Sequence, residues 1–202
     1  MQEPACRRLP RSSLADKLLP NTMTSTLEFL NSSDRAAFIA ALGHLFEHSP
    51  WVAGETWLRR HSLRTPGEAG LFRDAAHLHA ELCATMRTAP YERQLALIRA
   101  HPDLAGRLAQ QRKLTAESAR EQSSAGLGAL SAAELAEFQQ RNEAYRARFS
   151  FPFVICARLN KKEAILNGFK IRLNNSREQE IKAALEEIFK IAELRLRDLT
   201  HG

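Results

Sequence analysis

Cysteine is scarce in this sequence: Cys6, Cys83 and Cys156 are the full set in 202 residues, an odd number and widely spaced. No C-x-x-C pair occurs, so neither a disulfide framework nor a cysteine zinc site is encoded. A reducing, cytoplasmic compartment is the expectation. Long apolar runs are missing too. No stretch approaches the roughly 18 apolar residues that a membrane-crossing helix needs, so no membrane partner is expected. Clustered charge is the third absence. Lys and Arg outnumber Asp and Glu by 29 to 23, a formal net charge of +6, yet no basic run exceeds two residues and acids are interleaved throughout. Nucleic-acid-binding faces gather their basic residues, so no nucleic-acid partner is expected. The excess fits solubility or the attraction of a small anion.

What is present is helical period. The length suits one domain, or one domain with a tail. Residues 1–22 hold three prolines and no helical pattern. They read as a disordered N-terminal extension, either an over-long start or tag, or a targeting peptide that Glu3 and Asp16 argue against. From Met23 on, apolar residues recur at helical spacing. Ser32 or Ser33 is a candidate cap for a helix carrying Phe38, Ile39, Leu42, Leu45 and Phe46. Pro90 suits the first position of PYERQLALIRA. Ser131 with Glu134, and Ser176 with Gln179, have the spacing of capping boxes. The second opens a long final helix with Ile181, Leu185, Ile188, Ile191, Leu194 and Leu199 on its inner side. FPFVICA, residues 151–157, is the one β-like run, and it has no partner strand. The fold class is all-α, a single bundle of about seven to nine helices over residues 23–202.

Four segments hold candidate chemistry. His101 precedes Pro102, and a residue before proline avoids helical geometry. His101 is therefore expected at a junction, beside a helix beginning at Pro102, where it serves either as an acid–base group near neutral pH or as a plain cap. Ser118, Glu121 and Gln122 follow a candidate cap, Thr115, at i, i+3, i+4 spacing and so share one face. That face either grips a polar, urea-like ligand or is solvated. Phe153, Val154, Ile155, Cys156 and Ala157 read as core whose backbone groups need partners. Arg195 lies between leucines late in the last helix; buried, it would want a carboxylate or carbonyl. A metal is not expected. His44 and His48 are four apart, but no H-E-x-x-H is present.

HPDLAGRLA at 101–109, LTAESAREQSSAGL at 114–127, FPFVICARLNKKEAIL at 151–166 and IAELRLRDL at 191–199 together resemble 2-oxo-4-hydroxy-4-carboxy-5-ureidoimidazoline (OHCU) decarboxylases. FEHSPWVA at 46–53 is similar to that family as well. The likeness runs from about Met23 to Leu199. It implies an all-helical decarboxylase of urate breakdown that yields (S)-allantoin, needs no cofactor and is often a homodimer. By the same resemblance His101 is the catalytic proton donor, and Ser118, Glu121 and Gln122 lie on the substrate-binding and catalytic helix, where Glu121 is expected to orient or polarise His101 and the substrate's hydroxyl. Pro102, Ser118, Gln122 and Arg195 bind the anionic ureidoimidazoline, and the backbone from Phe153 to Ala157 meets its ureido or ring groups. Two rival classes, a nucleic-acid-binding helical module and a non-catalytic interaction protein, leave four matched segments in order unexplained.

Overall fold

The structure is a computed structural model that describes residues 23–63, 72–106, 109, 111 and 113–201. The expected N-terminal extension, residues 1–22 with Cys6, lies outside the described residues. Among them nine α-helices and no strand occur, as the period of the sequence implies. They are α1 (Met23–Ser32), α2 (Arg35–Leu42), α3 (Trp51–Leu63), α4 (Ala75–Thr88), α5 (Tyr91–Ala100), α6 (Ala116–Ser124), α7 (Ala132–Phe149), α8 (Lys162–Arg172) and α9 (Arg177–His201). None of the described helices is long and apolar enough to cross a membrane.

Local signals set most helix ends. Ser131 and Glu134 form the reciprocal capping box that starts α7. Ser176 and Gln179 bond each other's backbone N–H in the same way at the start of α9. Thr115 caps α6 through the Ser118 N–H. Pro90 stands one position before α5 rather than within it. At α2 the cap is Asp34, whose carboxylate accepts the Ala37 N–H. Ser32 and Ser33 instead turn their hydroxyls back onto the Glu28 and Phe29 carbonyls of the preceding helix. Near a helix C-terminus that local bond competes well for a serine hydroxyl.

Helix α9 is the central element. Ile181, Ala184, Leu185, Ile188, Ala192 and Leu196 are buried on it, and α1, α4 and α5 pack against it. A second nucleus is aromatic. Tyr145 and Phe149 of α7, Phe151 and Phe153 of the following segment, and Phe169 of α8 stack or meet edge to face. Such pairs add to the area that their rings bury. Phe153 lies flat on Phe169, with centroids 4.0 Å apart. Gly168 permits this approach: a Cβ there would stand 3.2 Å from the Phe153 ring. The aromatic nucleus thereby anchors the start of the extended run 151–156, which is not a strand.

Candidate active site

A cleft opens where α5 ends, between α6, α9 and the extended run. It is small, about 30 Å³, and open to solvent at its mouth. Every residue singled out in the sequence as a site candidate lines it except Cys156, and Leu104 and Ile191 complete the wall.

His101 closes α5. Its backbone is extended, with φ −73° and ψ 139°, because Pro102 disfavours another helical residue before it. No helix begins at Pro102. Residues 102–106 form a turn, with Ala105 in the left-handed region at φ 49°. The expectation of a helix N-terminus beside the histidine is corrected accordingly: among the described residues His101 lies at the C-terminus of α5, and no helix starts at Pro102. His101 Nδ1 stands 2.9 Å from the Leu97 carbonyl. A carbonyl can only accept, so Nδ1 carries the proton and Nε2 keeps its lone pair. Burial pushes the imidazole pKa down to about 4, against the pull of the Leu97 carbonyl and the Glu47 charge. The ring is a neutral base at neutral pH.

Helix α6 turns Ser118, Glu121 and Gln122 inward, and all three are buried. Gln122 supports the turn after His101. Its Oε1 accepts the Ala105 N–H at 2.9 Å and its Nε2 reaches the Asp103 carbonyl at 3.4 Å. The backbone of that turn is thus held from α6 and, through Asn142 Nδ2 on the Leu104 carbonyl, from α7.

Arg195 does not snorkel to the surface; only 4 % of it is exposed. Its Nε and Nη2 meet the two oxygens of Glu121 at 2.7 Å each, Nη1 donates to the Leu45 carbonyl at 3.1 Å, and Nη2 also reaches Glu47 Oε1 at 3.0 Å. Burial works against the cation, yet the two carboxylates hold its pKa above the ordinary arginine value. Glu121 is therefore engaged by Arg195, while the orientation of His101 comes from Leu97; the expected pairing of Glu121 with His101 is replaced by these two. Among the described residues one Nη1 proton of Arg195 is left for a ligand.

Glu47 did not stand out in the sequence as a site residue, although it lies in the similar FEHSPWVA segment. It is buried beneath the cleft, and its Oε1 accepts from Ser118 Oγ, Thr115 Oγ1 and Arg195 Nη2. Burial alone would raise its pKa, but the Ser118 hydroxyl and the Arg195 charge hold it below the usual carboxylate range. A glutamate in an irregular segment carries no periodic signal, so its burial is invisible until the chain is folded.

The extended run presents its backbone in alternation. Arg172 Nη1 donates to the Val154 carbonyl, and the Cys156 N–H donates to Glu187. The Cys156 carbonyl is taken by Asn160 Nδ2 and the Leu159 N–H. Successive residues of an extended chain point their polar groups to opposite sides. The Val154 carbonyl and the Cys156 N–H are thus tied to α8 and α9, while Phe153, Val154, Ile155 and Ala157 line the cleft. Among the described residues no hydrogen bond claims the N–H or C=O of Ile155, or the N–H of Ala157. Ile155 is half-buried and Ala157 is buried, and backbone groups withdrawn from water need partners. Ile155 therefore offers a donor and an acceptor side by side, the complement of an amide or ureido edge.

The fold and cleft define a helical protein with a neutral histidine facing a set of fixed amide, carboxylate and guanidinium groups, equipped for proton transfer on a small polar molecule. The chain belongs to the OHCU decarboxylase family, whose model matches residues 31–197. It is 37 % identical over 175 residues to the 2-oxo-4-hydroxy-4-carboxy-5-ureidoimidazoline decarboxylase of Halalkalicoccus jeotgali, covering 87 % of this chain and 92 % of that protein. It is 39 % identical over 170 residues to the enzyme of the same name from Mus musculus, covering 84 % and 90 %. Among solved structures, an (S)-allantoin synthase superposes with a TM-score of 0.65 at 29 % identity; the match covers 88 % of this chain and 54 % of that one, about half its length. An OHCU decarboxylase crystallised in the presence of (S)-allantoin shares the fold, with a TM-score of 0.59 at 22 % identity.

Proposed function

We propose that this protein converts 2-oxo-4-hydroxy-4-carboxy-5-ureidoimidazoline to (S)-allantoin and CO₂ in urate degradation, with no cofactor. The observation that carries the reading is the juxtaposition in one cleft of a neutral His101, its Nδ1 pinned by Leu97, with the unclaimed amide edge of Ile155. An imidazole free at Nε2 moves protons, and an amide edge holds a ureido group.

Decarboxylation requires a place for the electron pair left by CO₂. Cofactors such as pyridoxal or thiamine commonly provide it, but this substrate has an imine carbon next to the carbon bearing the carboxylate. The bond to the carboxylate breaks, its electron pair forms a carbon–carbon double bond, and the imine pair moves to the ring nitrogen, which takes a proton. The enol so formed returns to a carbonyl: its hydroxyl loses a proton and the ureido-bearing carbon gains one. His101 Nε2, a base in the resting protein, takes the hydroxyl proton and then delivers a proton to carbon from one face, which makes one enantiomer. Ile155 and Ala157 hold the ureido and ring amides together with Ser118 and Gln122. Arg195 gives its remaining N–H to the ligand, with Glu121 fixing its plane. Pro102 shapes the wall beside His101. The apolar part of the lining, Leu104, Phe153 and Ile191, suits a carboxylate that departs as neutral CO₂.

Two finer points belong to the same reading. Cys83 and Cys156 are free and buried, which favours a reducing, cytoplasmic compartment. The family resemblance favours a homodimer. Freshly generated substrate followed by circular dichroism tests the function: the protein should produce a chiral signal of (S)-allantoin far faster than buffer does. Spontaneous, racemic decay at an unchanged rate would reject it.

A further inference from the structure

The hydrogen bonds around Ser118 have one consistent direction. Glu47 is a buried carboxylate and can only accept. The Ser118 hydroxyl therefore spends its proton on Glu47 Oε1. Arg195 Nη2, which can only donate and whose shorter bonds go to Glu121 and Glu47, also lies 3.3 Å from the same Ser118 oxygen, so it offers the serine proton no acceptor. Thr115 cannot relieve this arrangement, because its own oxygen accepts the Ser118 backbone N–H while its hydroxyl turns to Glu47. Ser118, which lines the cleft, is left with lone pairs and no free proton.

We propose that Glu47 is a positioning residue that fixes Ser118 as a hydrogen-bond acceptor toward the ligand, so that the cleft selects an N–H group at this point and rejects a carbonyl or carboxylate oxygen. A free serine hydroxyl rotates to suit either kind of partner; tied to Glu47 it cannot. A ligand oxygen placed there would face an oxygen lone pair, a repulsive contact that works as a specificity element alongside the attractive ones. The Ile155 carbonyl asks for an N–H from the ligand as well, so Ser118 and Ile155 together read a group with more than one N–H, as a ureide has. The inference rests on the decarboxylase reading for the identity of the ligand, but not for the polarity of the site.

The test has two arms. Neutron diffraction from the unaltered protein, without ligand, locates the Ser118 hydroxyl deuteron. It should lie between Oγ and Glu47; a deuteron pointing into the cleft overturns the proposal whether or not the protein turns over substrate. The second arm is kinetic. Glu47→Met removes the acceptor, and Glu47→Gln keeps an acceptor oxygen but removes the charge. The Met variant should raise KM by about tenfold with a much smaller change in kcat, and the Gln variant should stay near the parent. In a Ser118→Ala background the Met change should have little further effect on KM, since the two residues act as one unit. A Gln variant as impaired as the Met variant, or full additivity with Ser118→Ala, would show that Glu47 supplies only charge or packing. If the Met variant does not fold, the neutron result decides. Absence of turnover by the parent would reject the decarboxylase reading and leave the neutron arm intact.

Discussion

Arg195 and Glu121, 74 positions apart in the chain, meet as two parallel charge-assisted hydrogen bonds, Nε to Oε1 and Nη2 to Oε2, both at 2.7 Å. The pair fixes the plane of the guanidinium at the floor of the cleft. With Glu47 on the same Nη2, one cation serves two buried carboxylates.

Arg195→Met should therefore be costly, because it leaves Glu47 and Glu121 buried together without a counter-ion. A loss of about 3–5 kcal/mol is the usual scale for stripping one partner from a buried ion pair. Adding Glu47→Gln and Glu121→Gln to the same chain should recover much of that stability, though not the activity. Denaturant melts of the single and triple variants check this; a single variant as stable as the parent would mean that water already solvates the cluster.

Gln122→Ala should act mainly on binding. Its amide accepts the Ala105 N–H within the turn that follows His101, and removing it takes away the bond that ties this turn to α6. The turn loosens beside the ligand, with a penalty of about 1–3 kcal/mol. Steady-state kinetics should show this chiefly as a raised KM. A fall in kcat at unchanged KM would place Gln122 in the chemical step instead.

His101 makes stability depend on pH with a definite sign. Its folded pKa is about 4 against an ordinary 6.5. Between those values the unfolded chain binds a proton that the folded chain excludes, so stability rises with pH across that window. The contribution, about 3 kcal/mol at full size, is complete above 6.5 and lost as the pH falls toward 4. His101→Asn should flatten this part of the Tm-against-pH curve. At neutral pH the variant should remain folded while turnover falls by about 10²-fold or more, the usual contribution of a positioned acid or base. A folded variant with close to parental turnover would remove His101 from the chemistry.

Turnover should survive exhaustive dialysis against a chelator, because the substrate's own imine accepts the electron pair. Among the described residues no three His, Cys, Asp or Glu side chains are grouped to hold a metal ion. Initial rates before and after dialysis decide the point; a rate that collapses and returns with added zinc would require a different mechanism.

The sequence by itself determined the elements and their ends, since those depend on contacts within one helical turn. The boxes at Ser131–Glu134 and Ser176–Gln179, the Thr115 cap, and the common face of Ser118, Glu121 and Gln122 all follow from i+3 and i+4 geometry. Where two local bonds competed, spacing was not enough. Ser32 and Ser33 turned back onto helix α1, and Asp34 took the cap of α2. The helix expected at Pro102 gave way to a turn braced by Gln122 and Asn142, residues that belong to other helices. The charge arrangement of the cleft was decided only by tertiary structure. Glu47 and Arg195 stand 148 positions apart. A buried carboxylate is tolerable only where a cation and hydroxyls reach it, and packing alone decides whether they do. The same holds for the backbone of residues 153–157. Which of its backbone groups stay unclaimed was set when Arg172 and Glu187, from α8 and α9, took the Val154 carbonyl and the Cys156 N–H.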